Sequence, residues 1–109
     1  MTPKRFHDSM VNYLCEYQEH LLLIKSNATS ISRISIVHEF LNFLYHHHLV
    51  AGMEQITVSM CCSKFMAEYK RKNKEVITKE EMNDVLRGYF VFIDGKYGVR
   101  NEKLMKGVR

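Results

Sequence analysis

The chain has 109 residues, of which 46% are hydrophobic and 26% charged, and this composition excludes a disordered tail or a fibrous protein. Its longest apolar runs, such as Leu21 to Ile24, are far shorter than the roughly 18–20 residues that cross a bilayer, and the N-terminus has no signal-peptide pattern. Three cysteines, two of them adjacent, argue against a secreted disulfide framework. We therefore expect one cytoplasmic domain with reduced thiols and no membrane partner.

The net charge of +4 comes entirely from the second half of the chain. Residues 1–50 contain four Lys or Arg and four Asp or Glu, whereas residues 51–109 contain twelve and eight. A basic surface is typical of proteins that bind nucleic acid, although so mild an excess also occurs in proteins that never do. Charge alone makes nucleic acid one candidate partner among others.

Two helices are predicted in the first half. Apolar residues from Phe6 to Ile24 recur every three or four positions, which predicts a helix over residues 3–25 with one buried face. Pro3 suits the first turn of that helix. Residues 26–30 break the pattern and are rich in hydroxyl and amide caps. A second, more deeply buried helix is expected to follow and to end at about His46.

Two further helices are predicted in the second half. Thr57 can cap a third helix that ends in the basic run from Lys70 to Lys74, where cations complement the negative end of the helix dipole. A capping box at residues 78–81 and six apolar residues in phase predict a fourth helix over about residues 79–94. The competing interpretation is a β-hairpin over residues 90–99 with Asp94 and Gly95 in its turn.

The helical interpretation of the fourth segment is favoured, so the expected fold class is all-α with four helices around one core. The residues expected in that core are Leu14, Leu21, Val37, Leu41, Leu44, Phe65, Leu86, Phe90 and Ile93.

No set of residues has the spacing of a catalytic or metal site. His46 to His48 are consecutive, so on a helix they point about 100° apart and cannot converge on one ion. The acidic residues Glu80, Glu81 and Asp84 lie at the start of a predicted helix, where negative charge stabilises the helix itself. No phosphate-binding glycine motif occurs. We expect no enzymatic activity, no metal and no cofactor.

The remaining candidates are polar residues at and after the starts of the second and fourth helices. Free N–H groups at a helix N-terminus, with hydroxyls and a cation one turn further on, can bind phosphate, and longer side chains can reach base edges. Ordinary capping and solvation remain the simpler explanation of these residues by themselves. The candidate DNA-binding residues are Lys25, Asn27, Thr29, Ser30, Arg33, Lys79, Asn83 and Arg87.

Several segments follow one another in an order that is typical of one protein family. They are the opening helix from Phe6 to Ile24, the cap from Asn27 to Ser30, Phe40-Leu41-Asn42-Phe43-Leu44, Ile56-Thr57, the segment from Asn83 to Ile93, and the exit from Tyr97 to Asn101. With these motifs nearly the whole chain resembles the N-terminal core-binding, or SAM-like, domain of phage integrases and other tyrosine site-specific recombinases. It departs from the family at Arg33 or Ile34, where a tyrosine is frequent, and at Glu102, where a proline is common.

The resemblance implies a four-helix SAM-like orthogonal bundle that clamps the recombination-site DNA of a mobile element, with the candidate residues at the duplex. It implies double-stranded DNA, a C-terminal catalytic domain and other recombinase protomers as partners. The catalytic residues of the family belong to that separate domain, and nothing in this sequence matches them. Residues 1–109 are thus expected to be a single core-binding domain from a longer recombinase.

Two other functions stay open at this stage. One is a free-standing helical adaptor that binds protein through apolar faces, for which the seven methionines would be suitable. The other is a winged-helix DNA-binding regulator, in which the hairpin around Asp94 and Gly95 would be the wing.

Overall fold

Helices make up all the regular secondary structure in this computed structural model, which describes residues 2–73 and 77–107. The α-helices are α1 (Pro3–Ile24), α2 (Asn27–His48), α3 (Phe65–Asn73), α4 (Lys79–Tyr97) and α5 (Glu102–Gly107). The predicted all-α class is confirmed. The chain divides into two compact units, unit 1 (Met1–Ala51) and unit 2 (Gly52–Arg109).

The two helices of unit 1 begin where hydroxyl side chains can cap them. Thr2 accepts the N–H of Arg5 at 3.2 Å, and Pro3 occupies the first turn of α1 as predicted. Ser26 accepts the N–H of Thr29 at 3.2 Å at the start of α2. Each cap satisfies one of the N–H groups that has no partner inside its helix.

Within unit 1, α1 and α2 pack against each other as a helical hairpin. A side-chain hydrogen bond of 2.8 Å between His7 Nε2 and Asn42 Oδ1 links the two helices, and the His7 ring also contacts Tyr45. The buried residues of α1 recur at helical spacing, as the sequence predicts. They are Phe6, Met10, Leu14, Tyr17 and Leu21.

Unit 2 opens with a short 3₁₀ turn, Met53–Gln55, and then a helix that changes type along its length. The Thr57 hydroxyl accepts the N–H of Met60 at 3.2 Å, in agreement with the predicted cap. Residues Met60–Lys64 form a π-helical segment that leads directly into α3. The sequence analysis did not predict this segment. Lys74, the last residue of the predicted basic run, lies outside the described residues.

The fourth segment is a helix, and the β-hairpin interpretation of residues 90–99 is wrong. Thr78 accepts the N–H of Glu81 at 3.1 Å and donates its hydroxyl to the Glu81 carboxylate at 3.2 Å, so the predicted capping box forms. Helix α4 then continues through Asp94 and Gly95 and ends at Gly98, whose φ of +68° suits glycine. Without strands in this segment the winged-helix regulator has no wing.

The prediction of four helices is also corrected, because α5 is an additional helix after α4. Asn101, which precedes α5, makes three hydrogen bonds that we call the Asn101 clasp. Its Nδ2 donates to the carbonyl oxygens of Met53 at 2.7 Å and Ile56 at 3.1 Å, and its Oδ1 accepts the N–H of Leu104 at 3.1 Å. One side chain thus caps α5 and fixes the 3₁₀ turn.

Every residue predicted for the core is buried, and none of the nine is more than 4% exposed. The in-phase apolar pattern was therefore sufficient to identify buried positions in both units. That a single core contains all of them stays a prediction.

Replacing Leu49, the C-cap residue of α2, with glycine should stabilise the fold. Leu49 has φ 47° and ψ 44°, a left-handed conformation that strains a residue with a Cβ atom, and its side chain is exposed. We expect Leu49→Gly to raise the free energy of unfolding by about 0.5–1 kcal/mol in urea denaturation, since the strain relieved exceeds the entropy that glycine adds to the unfolded chain. Gly98→Ala is the matched control and should lower it by a similar amount. A destabilised Leu49→Gly would contradict the prediction.

Candidate nucleic-acid interface

The start of α2 has the polar groups that the sequence predicted, but capping already engages two of them. The Ser26 and Thr29 hydroxyls are 3.0 Å apart and hydrogen-bonded to each other, while Ser26 also caps the helix. Lys25 and Asn27 are exposed, and Arg33 is half-buried. At this helix end, Lys25 and Asn27 are thus the most accessible of the predicted residues.

Two of the predicted DNA-binding residues are not on the surface. Ser30 is 1% exposed, and Asn83 is 8% exposed. The Asn83 Oδ1 atom accepts a hydrogen bond from the Cys62 thiol at 3.3 Å, so its amide is engaged within unit 2. Both residues lie in phase with buried apolar neighbours, Ser30 seven positions before Val37 and Asn83 three before Leu86. Their placement on a DNA-facing surface is therefore corrected.

On α4, Lys79 and Arg87 are exposed, as predicted. Neither forms an ion pair with any residue in the described part of the chain. Eight residues of helix separate them by about 12 Å along the axis. The acidic residues Glu80, Glu81 and Asp84 lie between them, so this part of α4 carries both signs of charge.

The predicted residues fall into two groups. Residues 25–33 belong to unit 1, and residues 79–87 belong to unit 2. Apart from Lys25, which follows the last residue of α1, each group lies along a few turns of a single helix. The juxtaposition of the two groups on one DNA-facing surface stays a prediction.

The basic end of α3 has a structural explanation for part of its charge. The Arg71 guanidinium donates to both carboxylate oxygens of Glu68, at 2.6 Å and 3.3 Å. This hydrogen bonding and the opposite charge of Glu68 raise the pKa of Arg71. Lys70, Arg71 and Lys72 lie in the last turn of the helix, where the dipole favours cations.

A cleft of about 570 Å³ in unit 2 was not foreseen from the sequence. Its lining includes the apolar residues Ile56 and Val58, the cations Arg100 and Lys103, and the acidic residues Glu54 and Glu102. The Asn101 clasp brings these segments together from opposite ends of unit 2. No periodic pattern could have revealed the cleft, because it depends on contacts between residues more than forty positions apart.

The buried Cys61 is unsuited to act as a nucleophile. Burial raises the pKa of the Cys61 thiol, and the neighbouring Cys62 raises it further, so Cys61 keeps its proton and is unreactive.

His46, His47 and His48 occupy the last turn of α2, where two of their rings contact Phe43. The structure thus gives these residues packing and helix-end roles.

Comparisons with known proteins return no match among family models, curated proteins or solved structures. Among the helices in the described ranges, none combines the length and the apolar character that crossing a bilayer requires.

Proposed function

We propose that the chain is a duplex DNA-binding domain that contacts phosphates mainly through unit 2. The observation that carries the proposal is the excess of exposed positive charge in unit 2. In residues 52–73 and 77–104, nine Lys or Arg side chains are exposed against five Asp or Glu, whereas the described residues of unit 1 expose three of each. Such an excess attracts the phosphate backbone and releases its counterions.

Lys79 and Arg87 are the unit 2 residues that we assign to phosphate contacts. Both are exposed and unpaired within the described residues, and neither is at a helix C-terminus, where the dipole would account for a cation. In unit 1, Lys25, Asn27, Thr29 and Arg33 are assigned to the same duplex on the basis of the helix N-terminus that they surround.

The recombinase family is part of the proposal and depends on the sequence resemblance alone. A core-binding domain with a SAM-like bundle requires an all-helical chain, and this chain meets that requirement. On this proposal the domain grips one face of a recombination site while a separate catalytic domain performs the chemistry.

Binding of the full chain to a fluorescently labelled duplex of mixed sequence, followed by anisotropy across a salt series, tests the proposal. We expect the logarithm of the binding constant to fall linearly as the logarithm of the salt concentration rises. The double variant Lys79→Ala/Arg87→Ala should reduce the magnitude of that slope by about 2, because two phosphate contacts are lost. No binding at the lowest salt, or binding that salt does not change, would overturn the proposal.

The variant Lys70→Ala/Lys72→Ala is the matched control, since it removes the same charge from an exposed helix end. We expect a smaller change in slope, because those cations complement the dipole of α3. If this control reduced the slope as much as the α4 variant does, the DNA face would be assigned to the wrong helix.

A second candidate function is protein interaction. One observation favours it, a group of exposed apolar side chains beside Lys25 in unit 1, and it does not depend on DNA.

A further inference from the structure

The turn between α1 and α2 exposes a cluster of large apolar side chains. Leu22, Leu23, Ile24 and Ile31 are 45%, 85%, 62% and 61% exposed. Among the described residues, six large hydrophobic side chains are exposed, and these four lie within ten positions of one another. We call them the hairpin tip. Single exposed apolar residues are ordinary, whereas several at one end of a helical hairpin indicate an interaction surface.

Every side chain of the hairpin tip leaves 45% or more of its surface exposed in unit 1. The buried α1 residues next to it, Tyr17 and Leu21, lie roughly 100–160° around the helix from Leu22 and Leu23, whereas Ile24 follows Leu21 by three positions and is exposed at the end of the helix. The exposed parts of these leucine and isoleucine side chains therefore add nothing to the stability of the hairpin itself. Exposing this apolar area to water is unfavourable, and only a second surface that covers the side chains would remove it from water.

The charges around the hairpin tip are arranged for a second copy of the same surface. Glu19 and Lys25 are exposed, and neither has a partner within the described residues. Glu19, Leu22 and Leu23 share one face of α1, because they are three and four positions apart. Along the axis of α1, Glu19 lies about 4.5 Å before Leu22, and Lys25 lies about 4.5 Å after Leu22 at the end of the helix.

We propose that the hairpin tip is the interface of a homodimer with two-fold symmetry. A two-fold axis near Leu22 sets two α1 ends antiparallel, so that the Leu22 and Leu23 side chains of both copies meet at the centre. The same axis brings Glu19 of each copy to Lys25 of the other, which makes two equivalent ion pairs at the rim.

A lipid surface is disfavoured by the same charges. An interfacial helix that binds anionic lipid is rich in Lys and Arg on its polar side. Here the exposed Glu16 and Glu19 precede the apolar residues of α1, Lys25 follows them, and the half-buried Arg33 lies two positions after Ile31. The charge pattern is self-complementary and not uniformly basic, which identifies a second copy as the occupant.

Sedimentation velocity of the full chain over a concentration series, without DNA, tests the dimer. We expect a reversible monomer–dimer equilibrium, and Leu23→Asp should raise the dimer dissociation constant at least about tenfold, because it places a charge at the centre of the interface. Leu49→Asp is the matched control, since Leu49 is 64% exposed and lies at the other end of α2. It should leave the dissociation constant unchanged, while circular dichroism confirms that both variants are folded.

A charge exchange distinguishes this particular dimer from any other association. Glu19→Lys and Lys25→Glu should each weaken dimerisation by about fivefold, since each replaces two rim attractions with repulsions. The double variant should restore it, because the pairs then form with reversed signs. A chain that is monomeric at its highest soluble concentration, or a double variant no better than the single ones, would overturn the proposal. Because no DNA is present, this outcome is separate from the fate of the proposed DNA-binding function.

Discussion

Replacing Phe90 with alanine is expected to lower the free energy of unfolding by about 3–5 kcal/mol. Phe90 is 1% exposed in the middle of α4, and the centroid of its ring is 6.0 Å from the centroid of the Tyr89 ring. Truncation removes the buried ring and leaves a cavity that a close-packed interior fills only partly. Because small domains have only about 5–15 kcal/mol of stability, the loss should be evident in urea denaturation followed by circular dichroism.

The neighbouring residue on α4 supplies the control. Val91 is 47% exposed, so Val91→Ala removes little buried area and should change the free energy of unfolding by less than about 0.5 kcal/mol. Equal losses for Phe90→Ala and Val91→Ala would contradict the orientation of α4 in the structure.

Removal of the Asn101 clasp is expected to cost about 2–3 kcal/mol, because Asn101→Ala deletes three hydrogen bonds and leaves the Met53 and Ile56 carbonyls without this donor. Asn101→Asp should be at least as destabilising, since a carboxylate would face those two carbonyl oxygens. Both losses should be measurable as lower midpoints of urea denaturation.

Asn73 is the matched asparagine for this test. Its Nδ2 donates to the carbonyl oxygen of Tyr69, four residues earlier in the same helix, at 3.0 Å. Losing such a local bond should cost about 0.5–1 kcal/mol. The clasp would have no special role if Asn73→Ala were as destabilising as Asn101→Ala.

Local signals in the sequence were sufficient to predict most of the helices. The Thr78 capping box and the in-phase apolar residues of α4 outweighed the turn signal of Asp94 and Gly95, because cap and periodicity act on the same element. The π-helical segment Met60–Lys64 had no such signal, since a shift of one position in hydrogen bonding leaves composition unchanged. Helix α5 was missed because six residues are too few to show a helical apolar period, although its cap at Asn101 is a local signal.

The candidate site was harder to predict than the fold. Ser30 and Asn83 were treated as surface residues because they are polar, yet their phase relative to Val37 and Leu86 places them on buried faces. Periodicity could have identified both. Of the hairpin tip, only Ile24 was included in the predicted buried face of α1, because it continues the apolar spacing of that helix, yet it is 62% exposed.

The Asn101 clasp also orders the events of folding. Its two bonds to the 3₁₀ turn close loops of 48 and 45 residues, whereas the His7–Asn42 bond that joins α1 and α2 spans 35 residues within unit 1. Helices α1 and α2 have both been synthesised before any residue of unit 2 exists, so their hairpin can form while translation continues. The carbonyl groups of Met53 and Ile56 instead receive their two hydrogen bonds only after Asn101 has been synthesised. The 3₁₀ turn is therefore synthesised early in unit 2 but acquires these hydrogen bonds late. Until nearly all of unit 2 has been synthesised, the turn is accessible to chaperones and proteases.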